Sequence, residues 1–145
     1  MKFSSLPKRV FALATMGLMA TLPTISPASA IDWDHGPWHS TDSSPYGATV
    51  YVEEHDDIIK LCDTESDKLH AKVYIWTGPT DNLSQVSWFT DWYNDGHCSY
   101  EKASTGYNLA ENRTYYIQVC REYNDGDQAD VNCTSYTKYH FYNDH

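Results

Sequence analysis

Two segments of the chain carry closely spaced carboxylates, the ligands that calcium prefers. They are Asp63, Glu65 and Asp67, and Asp125, Asp127 and Asp130. Calcium takes six to eight oxygen ligands, usually including a bidentate carboxylate. In the first segment Tyr74 stands where a calcium loop places its glutamate, and the glycine of such a loop is missing. Because aspartates often hydrogen-bond to nearby backbone in turns, we expect both segments to form turns. We predict no metal site and no cofactor.

Histidine is the second residue type with possible ligand chemistry. His35 and His39 are four residues apart, which on a helix would place two imidazoles on one face. The intervening Gly36-Pro37 is incompatible with a helix. We therefore interpret this pair as solvated side chains with few companion ligands nearby.

Nucleophilic catalysis has no support in the sequence. There is no Gly-x-Ser-x-Gly motif, and we expect the cysteines to be committed to disulfides. With 20 aspartates and glutamates, carboxylate pairs occur by coincidence and do not indicate a glycosidase. A small single domain also has little room for the deep pocket in which catalytic groups converge. We predict that the protein is not an enzyme.

Aromatic residues are the most informative excess. Five tryptophans and twelve tyrosines are too many for one small core. If the apolar residues alternating over 69–75 face the core, Tyr74 and Trp76 point outward, and the same alternation places Tyr51 and Tyr116 outside. Outward aromatics either pack across strands or form a platform for a ligand. We predict these four residues as ligand-binding.

The chain has four cysteines, Cys62, Cys98, Cys120 and Cys133. An even count in a small exported domain predicts two disulfides. Cys120 and Cys133 lie symmetrically about Gly126 and Asp127 of the turn 124–127, so they would face each other across a hairpin and could form a bridge. By elimination Cys62 pairs with Cys98.

The first 30 residues have the features of a secretory signal peptide. Lys2, Lys8 and Arg9 accompany an apolar run, and small residues occupy the cleavage site at 28–30. We predict a secreted protein cleaved after Ala30. Removing this segment would change the net charge from −10 to −13. Such a charge repels nucleic acid and anionic lipid, so we expect neither as a partner.

The remaining chain has the pattern of an all-β domain. Residues 31–45 show no periodicity and are interpreted as an irregular lead segment. Over 46–145, apolar and polar residues alternate in about seven short runs, with a hairpin signal at Asn94-Asp95-Gly96 and no convincing amphipathic helix. We predict one antiparallel β-sandwich of the immunoglobulin-like or fibronectin-like kind. A small closed barrel is the alternative.

One motif carries a resemblance. The run Cys62-Asp63-Thr64-Glu65-Ser66-Asp67 ends a predicted strand and precedes an Ala/Val strand and three further cysteines. This arrangement, over roughly residues 48 to 137, resembles a group of small secreted actinobacterial proteins of unknown function. Lys68 departs from that group, which often has Gly there. The resemblance implies a secreted β protein with two disulfides and implies no activity.

These features together predict a secreted acidic binding module. Its expected ligand is an extracellular protein or a glycan, recognised through the outward aromatics. One alternative is a secreted protease inhibitor acting through a rigid loop, 77–84 or 122–131. Another is a structural protein of the cell envelope.

Overall fold

A computed structural model of the protein describes residues 30–93 and 96–145. The predicted signal peptide up to residue 29 and the turn residues Asn94 and Asp95 lie outside the described residues. The strands are β1 (His35–His39), β2 (Ala48–Glu53), β3 (Ile58–Asp63), β4 (Leu69–Thr77), β5 (Ser84–Asp91), β6 (Cys98–Glu101), β7 (Arg113–Tyr123) and β8 (Tyr139–Asn143), with a short 3-10 turn at Ala103–Thr105.

The strands form two antiparallel sheets of four strands each. The first has the order β1-β2-β3-β6 and the second the order β5-β4-β7-β8. The predicted antiparallel β-sandwich is confirmed, with eight strands where the sequence predicts about seven. β6 pairs with β3 and not with β5, so the segment between β5 and β6 joins the two sheets. The hairpin predicted there is wrong.

The core lies between the inward faces of the two sheets. Period-two alternation selects these side chains, because successive residues of a strand point to opposite faces. The predicted inward residues of β2, β4 and β7 are buried, apart from Leu69, which is half-buried. The buried core residues are Ala48, Val50, Val52, Ile59, Leu61, Ala71, Val73, Ile75, Phe89, Leu109, Tyr115, Ile117, Val119 and Phe141.

The prediction of an irregular lead segment over 31–45 is wrong for its central part. His35–His39 forms β1 at the edge of the first sheet. The period-two signal is absent because the register shifts between His35 and Trp38, around Gly36-Pro37. Gly36 has φ +104°, and a Cβ there would lie 2.6 Å from the Val50 carbonyl oxygen. An irregular strand of this kind is tolerated at a sheet edge.

Residues 131–142, which form the last of the alternating runs in the sequence, do not form one continuous strand. Val131 pairs with Arg121, whereas the Thr134 N–H donates to the Val119 carbonyl, so the register shifts by one residue between them. Asn132 takes up the shift in a left-handed conformation with φ 52°. This bulge places Cys133 opposite Cys120.

Two disulfides join Cys62 to Cys98 and Cys120 to Cys133, and both predicted pairings are confirmed. Disulfides persist in oxidising compartments outside the cytosol. The described ranges, 30–93 and 96–145, contain no helix that is long and apolar enough to cross a membrane.

Candidate functional site

The structure divides the four predicted ligand-binding residues between the two sheets. Tyr74 and Trp76 on β4 and Tyr116 on β7 lie on the outer face of the second sheet, where Trp76 stands opposite Tyr116. Tyr51 lies on β2, on the outer face of the first sheet. All four are half-buried. The sequence placed each of them outside correctly, but it could not show that β2 and β4 belong to opposite layers.

Two further aromatics complete the group on the second sheet. Trp88 on β5 stands opposite Tyr74, and Tyr136 packs edge-on against Trp76 with 4.9 Å between ring centroids. Trp88 and Tyr136 are 49% and 50% exposed. We call Tyr74, Trp76, Trp88, Tyr116 and Tyr136 the aromatic face. Because Phe89 is buried, strand alternation could have identified its neighbour Trp88 as an outward residue. Tyr136 lies in a turn, where no periodicity indicates its direction.

Two depressions share Trp76 and Tyr136 in their lining. One, of about 300 Å³, also contains Tyr74, Gln85, Gln118 and Asp130. The other, of about 350 Å³, is also lined by Leu83 and by the polar residues Thr80, Asp81, Ser135 and Thr137. Two flat rings flanked by amides, hydroxyls and carboxylates give the surface both stacking and hydrogen-bonding capacity.

A bulge sets the composition of the first depression. The register of β5 against β4 shifts so that Ile75 faces Ser87 but Trp76 faces Gln85. Bulges of this kind re-aim side chains beside binding sites. Gln118 donates its amide N–H to the Thr134 carbonyl, 3.1 Å away, which fixes its orientation. The Trp76 indole N–H is buried and has no hydrogen-bond partner in the described part of the chain, so its ring is what this residue offers to a ligand.

A buried polar network holds the aromatic face in place. The Lys72 Nζ lies 2.9 Å from Glu122 and 3.3 Å from Asp130. It also lies 5.1 Å from the ring centroid of Tyr74 and 5.0 Å from that of Trp88. The Tyr74 hydroxyl donates to Asp130. Paired charges and cation–π contacts in a shielded site rigidify the rings around them.

The protonation states in this network suit its hydrogen bonds. Burial alone would lower the pKa of Lys72, but its contacts with Glu122, Tyr74 and Asp130 outweigh burial and raise that pKa above its usual value. Burial and the hydrogen bond to Asp130 raise the pKa of Tyr74. At neutral pH the lysine is therefore charged and the phenol protonated.

Tyr51 has a different setting on the opposite sheet. The Lys60 Nζ lies 4.9 Å from its ring centroid, and also 5.5 Å from that of Trp33 and 5.9 Å from that of Tyr100. Lys60 stands directly opposite Tyr51 across β2 and β3. Its cation is therefore shared by three rings, and Tyr51 serves packing within the first sheet.

The segment Asp63–Asp67 surrounds a buried arginine. Arg121 is 4% exposed, and its guanidinium lies 2.7 Å from Asp67, 2.9 Å from Glu65 and 3.6 Å from Asp42. A Cβ on Gly47 would lie 2.2 Å from the guanidinium carbon, so glycine is needed there for the close approach. Sequence reasoning proposed turn formation for these aspartates and missed Arg121, because its partners lie far away in the chain.

Asp63 is fully buried beside this cluster. Its Oδ1 accepts from the Glu65 N–H at 3.2 Å, and among the described residues its Oδ2 has no hydrogen-bond partner. The His70 Nδ1 lies 3.9 Å from that oxygen. Burial raises the pKa of Asp63 to about 6, assisted by the charges of Asp67 and Asp91 and opposed by the Glu65 N–H and the Arg121 charge.

This raised pKa predicts a pH-dependent stability. Between pH 4 and 6 the folded chain holds a proton on Asp63 that the unfolded chain releases, so stability falls as pH rises through that window. Between pH 4 and 7 the free energy of unfolding should fall by about 1–2 kcal/mol less in Asp63→Asn than in the wild-type protein. Urea denaturation of both proteins at several pH values measures the effect. Burial also raises the pKa of Asp57. Because Asp57 is present in both proteins, its contribution to the pH dependence cancels when the two are compared. Parallel curves for the two proteins would contradict the prediction.

The second acidic segment is divided between two roles. Asp125 accepts from the Asp127 N–H at 3.4 Å and from Gln128 at 3.1 Å, as expected for a turn. Asp130 instead joins the network of Lys72 and Tyr74. The loop 122–131, a candidate inhibitory loop, is thus anchored to the aromatic face. Of the other candidate loop, 77–84, Thr80, Asp81 and Leu83 line the larger of the two depressions beside Trp76.

Comparisons of the chain with protein-family models, with curated proteins and with solved structures find no match. A β-sandwich supports many unrelated functions, so the fold does not assign one.

Proposed function

We propose that the protein is a secreted glycan-binding module, exported by a signal peptide cleaved after Ala30, that holds its ligand on the aromatic face. The observation that carries this proposal is that Trp76 and Tyr136 pack together and line two depressions that also contain polar side chains. Signal-peptide features and two disulfides support export.

The chemistry of a sugar matches this surface. A pyranose ring presents a face of C–H groups that stacks on an aromatic ring, while its hydroxyls both donate and accept hydrogen bonds. Asp81 offers acceptors, and Gln85 offers both donor and acceptor. The two depressions that share Trp76 would hold successive sugar units.

The charge of the protein favours a neutral ligand. The chain has a net charge of −10, and carboxylates lie in or beside both depressions. Acidic polysaccharides would be repelled by this field, whereas neutral sugars are unaffected by it. Enzymatic action on the glycan is not part of the proposal, because Asp130 is committed to Lys72 and Tyr74.

Tyr136 is the sharpest probe of this proposal. Tyr136→Ala should weaken glycan binding about thirtyfold, as expected for an anchor worth about 2 kcal/mol. It should leave the melting temperature nearly unchanged, because the side chain is half exposed. The matched control is Tyr142→Ala, since Tyr142 is 52% exposed and lies on β8 outside both depressions. Calorimetric titration would use the tightest binder from a panel comprising a β-glucan, a xylan and a galactomannan.

Trp76→Ala should lose binding as well, but its half-buried ring makes it a less selective probe. Removing it also takes away packing against Tyr136, so we expect a stability cost of about 1–3 kcal/mol. Thermal melts beside binding titrations separate the two effects. A large drop in melting temperature with unchanged glycan affinity would show that the ring serves packing only. Equal weakening by Tyr136→Ala and Tyr142→Ala would likewise count against the aromatic face.

A further inference from the structure

Histidines and carboxylates from three separate segments meet at one end of the sandwich. His35 lies at the start of β1, Glu54 and His55 lie in the turn after β2, and Asp144 and His145 follow β8. None of them belongs to the aromatic face. Adjacent strands β1 and β2 and the end of β8 bring them together although up to 110 positions separate them in the chain.

The potential ligand atoms converge closely. The His145 Nε2 lies 3.4 Å from Asp144 Oδ1 and 4.0 Å from Glu54 Oε2. One ligand atom from each of Glu54, Asp144 and His145 lies within 4.8 Å of the others. The His55 ring packs edge-on against His145 with 5.6 Å between centroids. A second imidazole therefore lies beside His145.

These spacings fit a transition-metal ion. Nitrogen and oxygen ligands bind Zn²⁺ at about 2.0–2.2 Å, so two ligands of a tetrahedral site lie about 3.4 Å apart. We propose that Glu54, Asp144 and His145 form a binding site for a divalent first-row transition metal of the Zn²⁺ class. The imidazole of His145 favours such an ion over calcium, which takes oxygen ligands.

His35 positions the carboxylate of this site. Its Nε2 hydrogen-bonds to Glu54 Oε1, which leaves Oε2 toward His145. The His35 ring stacks on Trp38, with 5.6 Å between centroids, and lies 5.5 Å from Phe141. The Glu54 N–H donates to Asp34 at 2.8 Å, which fixes the backbone. Partners of this kind orient metal ligands and strengthen binding.

The site would join separate parts of the fold through one ion. His145 and Asp144 are exposed, whereas the Glu54 side chain is largely buried. An ion bound there would tie residues 144–145 to the turn after β2 and would stabilise the folded chain through binding. The negative charge of the protein also raises the local concentration of cations.

The test uses Zn²⁺ alone and the protein freed of any histidine purification tag. Calorimetry should find one Zn²⁺ per chain, and Ca²⁺ should not bind at the same concentrations. His145→Ala should weaken Zn²⁺ binding by about 100-fold or more. His35→Ala should weaken it by about 10–100-fold, because the Glu54 carboxylate loses the hydrogen bond that orients it. His140→Ala is the matched control, because His140 is an exposed histidine of β8 outside the cluster.

His145 and Asp144 are exposed, so His145→Ala tests the site in a folded protein, and an unchanged melting temperature in the absence of metal would verify this. Affinity that survives in His140→Ala and is lost in His145→Ala would support the site. Failure of the wild-type protein to bind Zn²⁺, or equal loss in both histidine variants, would overturn it. Neither result depends on glycan binding.

Discussion

Replacing Arg121 by alanine should destabilise the domain by about 3–5 kcal/mol. The guanidinium is almost fully buried and lies within 3.6 Å of Asp42, Glu65 and Asp67. Its removal would leave these carboxylates facing one another beside the buried Asp63 without a compensating charge. Removing one partner from a buried ionic cluster is among the single substitutions that lower the free energy of unfolding most. The remaining charges lose their counterion while they stay shielded from water.

The matched control for this experiment is Arg113→Ala on the same strand. Arg113 is exposed, so its truncation should change the free energy of unfolding by less than about 0.5 kcal/mol. Urea denaturation monitored by tryptophan fluorescence measures both variants. A loss below about 1 kcal/mol in Arg121→Ala would contradict the role assigned to the cluster.

Removing the Cys62–Cys98 disulfide should cost about 4 kcal/mol, and removing Cys120–Cys133 about 3 kcal/mol. The first bridge spans 36 residues and the second 13, and a longer closed loop restricts the unfolded chain more. The first bridge also joins β3 to β6, the edge strand that no hairpin connects to its sheet. Its loss therefore removes a covalent link that the topology does not replace.

The comparison uses the two double alanine variants, each lacking one bridge, in the same buffer. Equilibrium denaturation should rank the Cys62/Cys98 variant as the less stable one. Equal stabilities, or the opposite ranking, would show that strain or unfolded-state structure outweighs loop length. Each variant would be checked for free thiols so that the remaining bridge is known to be intact.

Local alternation in the sequence predicted most of the sandwich. The inward residues Val50, Val73 and Val119 are fully buried, because period two is imposed wherever one face of a strand meets the core. The symmetric positions of Cys120 and Cys133 predicted the disulfide between them, and elimination then predicted the one between Cys62 and Cys98. β1 escaped prediction because Gly36-Pro37 removes the alternation while edge pairing with β2 still forms a strand.

The candidate site was only partly predictable. Outward direction follows from alternation, so all four of the predicted ligand-binding residues were expected to point outward: Tyr51, Tyr74, Trp76 and Tyr116. The sheet to which a strand belongs depends on long-range pairing. The sequence therefore could not show that Tyr51 lies on the opposite sheet from the other three residues. Tyr136 lies in an interrupted segment whose register shift at Asn132 has no sequence signature. Contacts between segments distant in the chain, such as Arg121 with Asp67, arise from topology alone.

The indole N–H signals of the tryptophans provide the most direct measurement of where a glycan binds. In ¹H–¹⁵N correlation spectra each of the five tryptophans contributes one such signal. Titration with the glycan selected from the panel should shift the signals of Trp76 and Trp88. It should leave Trp33, which packs near Tyr51 on the opposite sheet, unchanged. A shift confined to Trp33, or no shift of any indole with any glycan of the panel, would contradict the proposed glycan-binding role of the aromatic face.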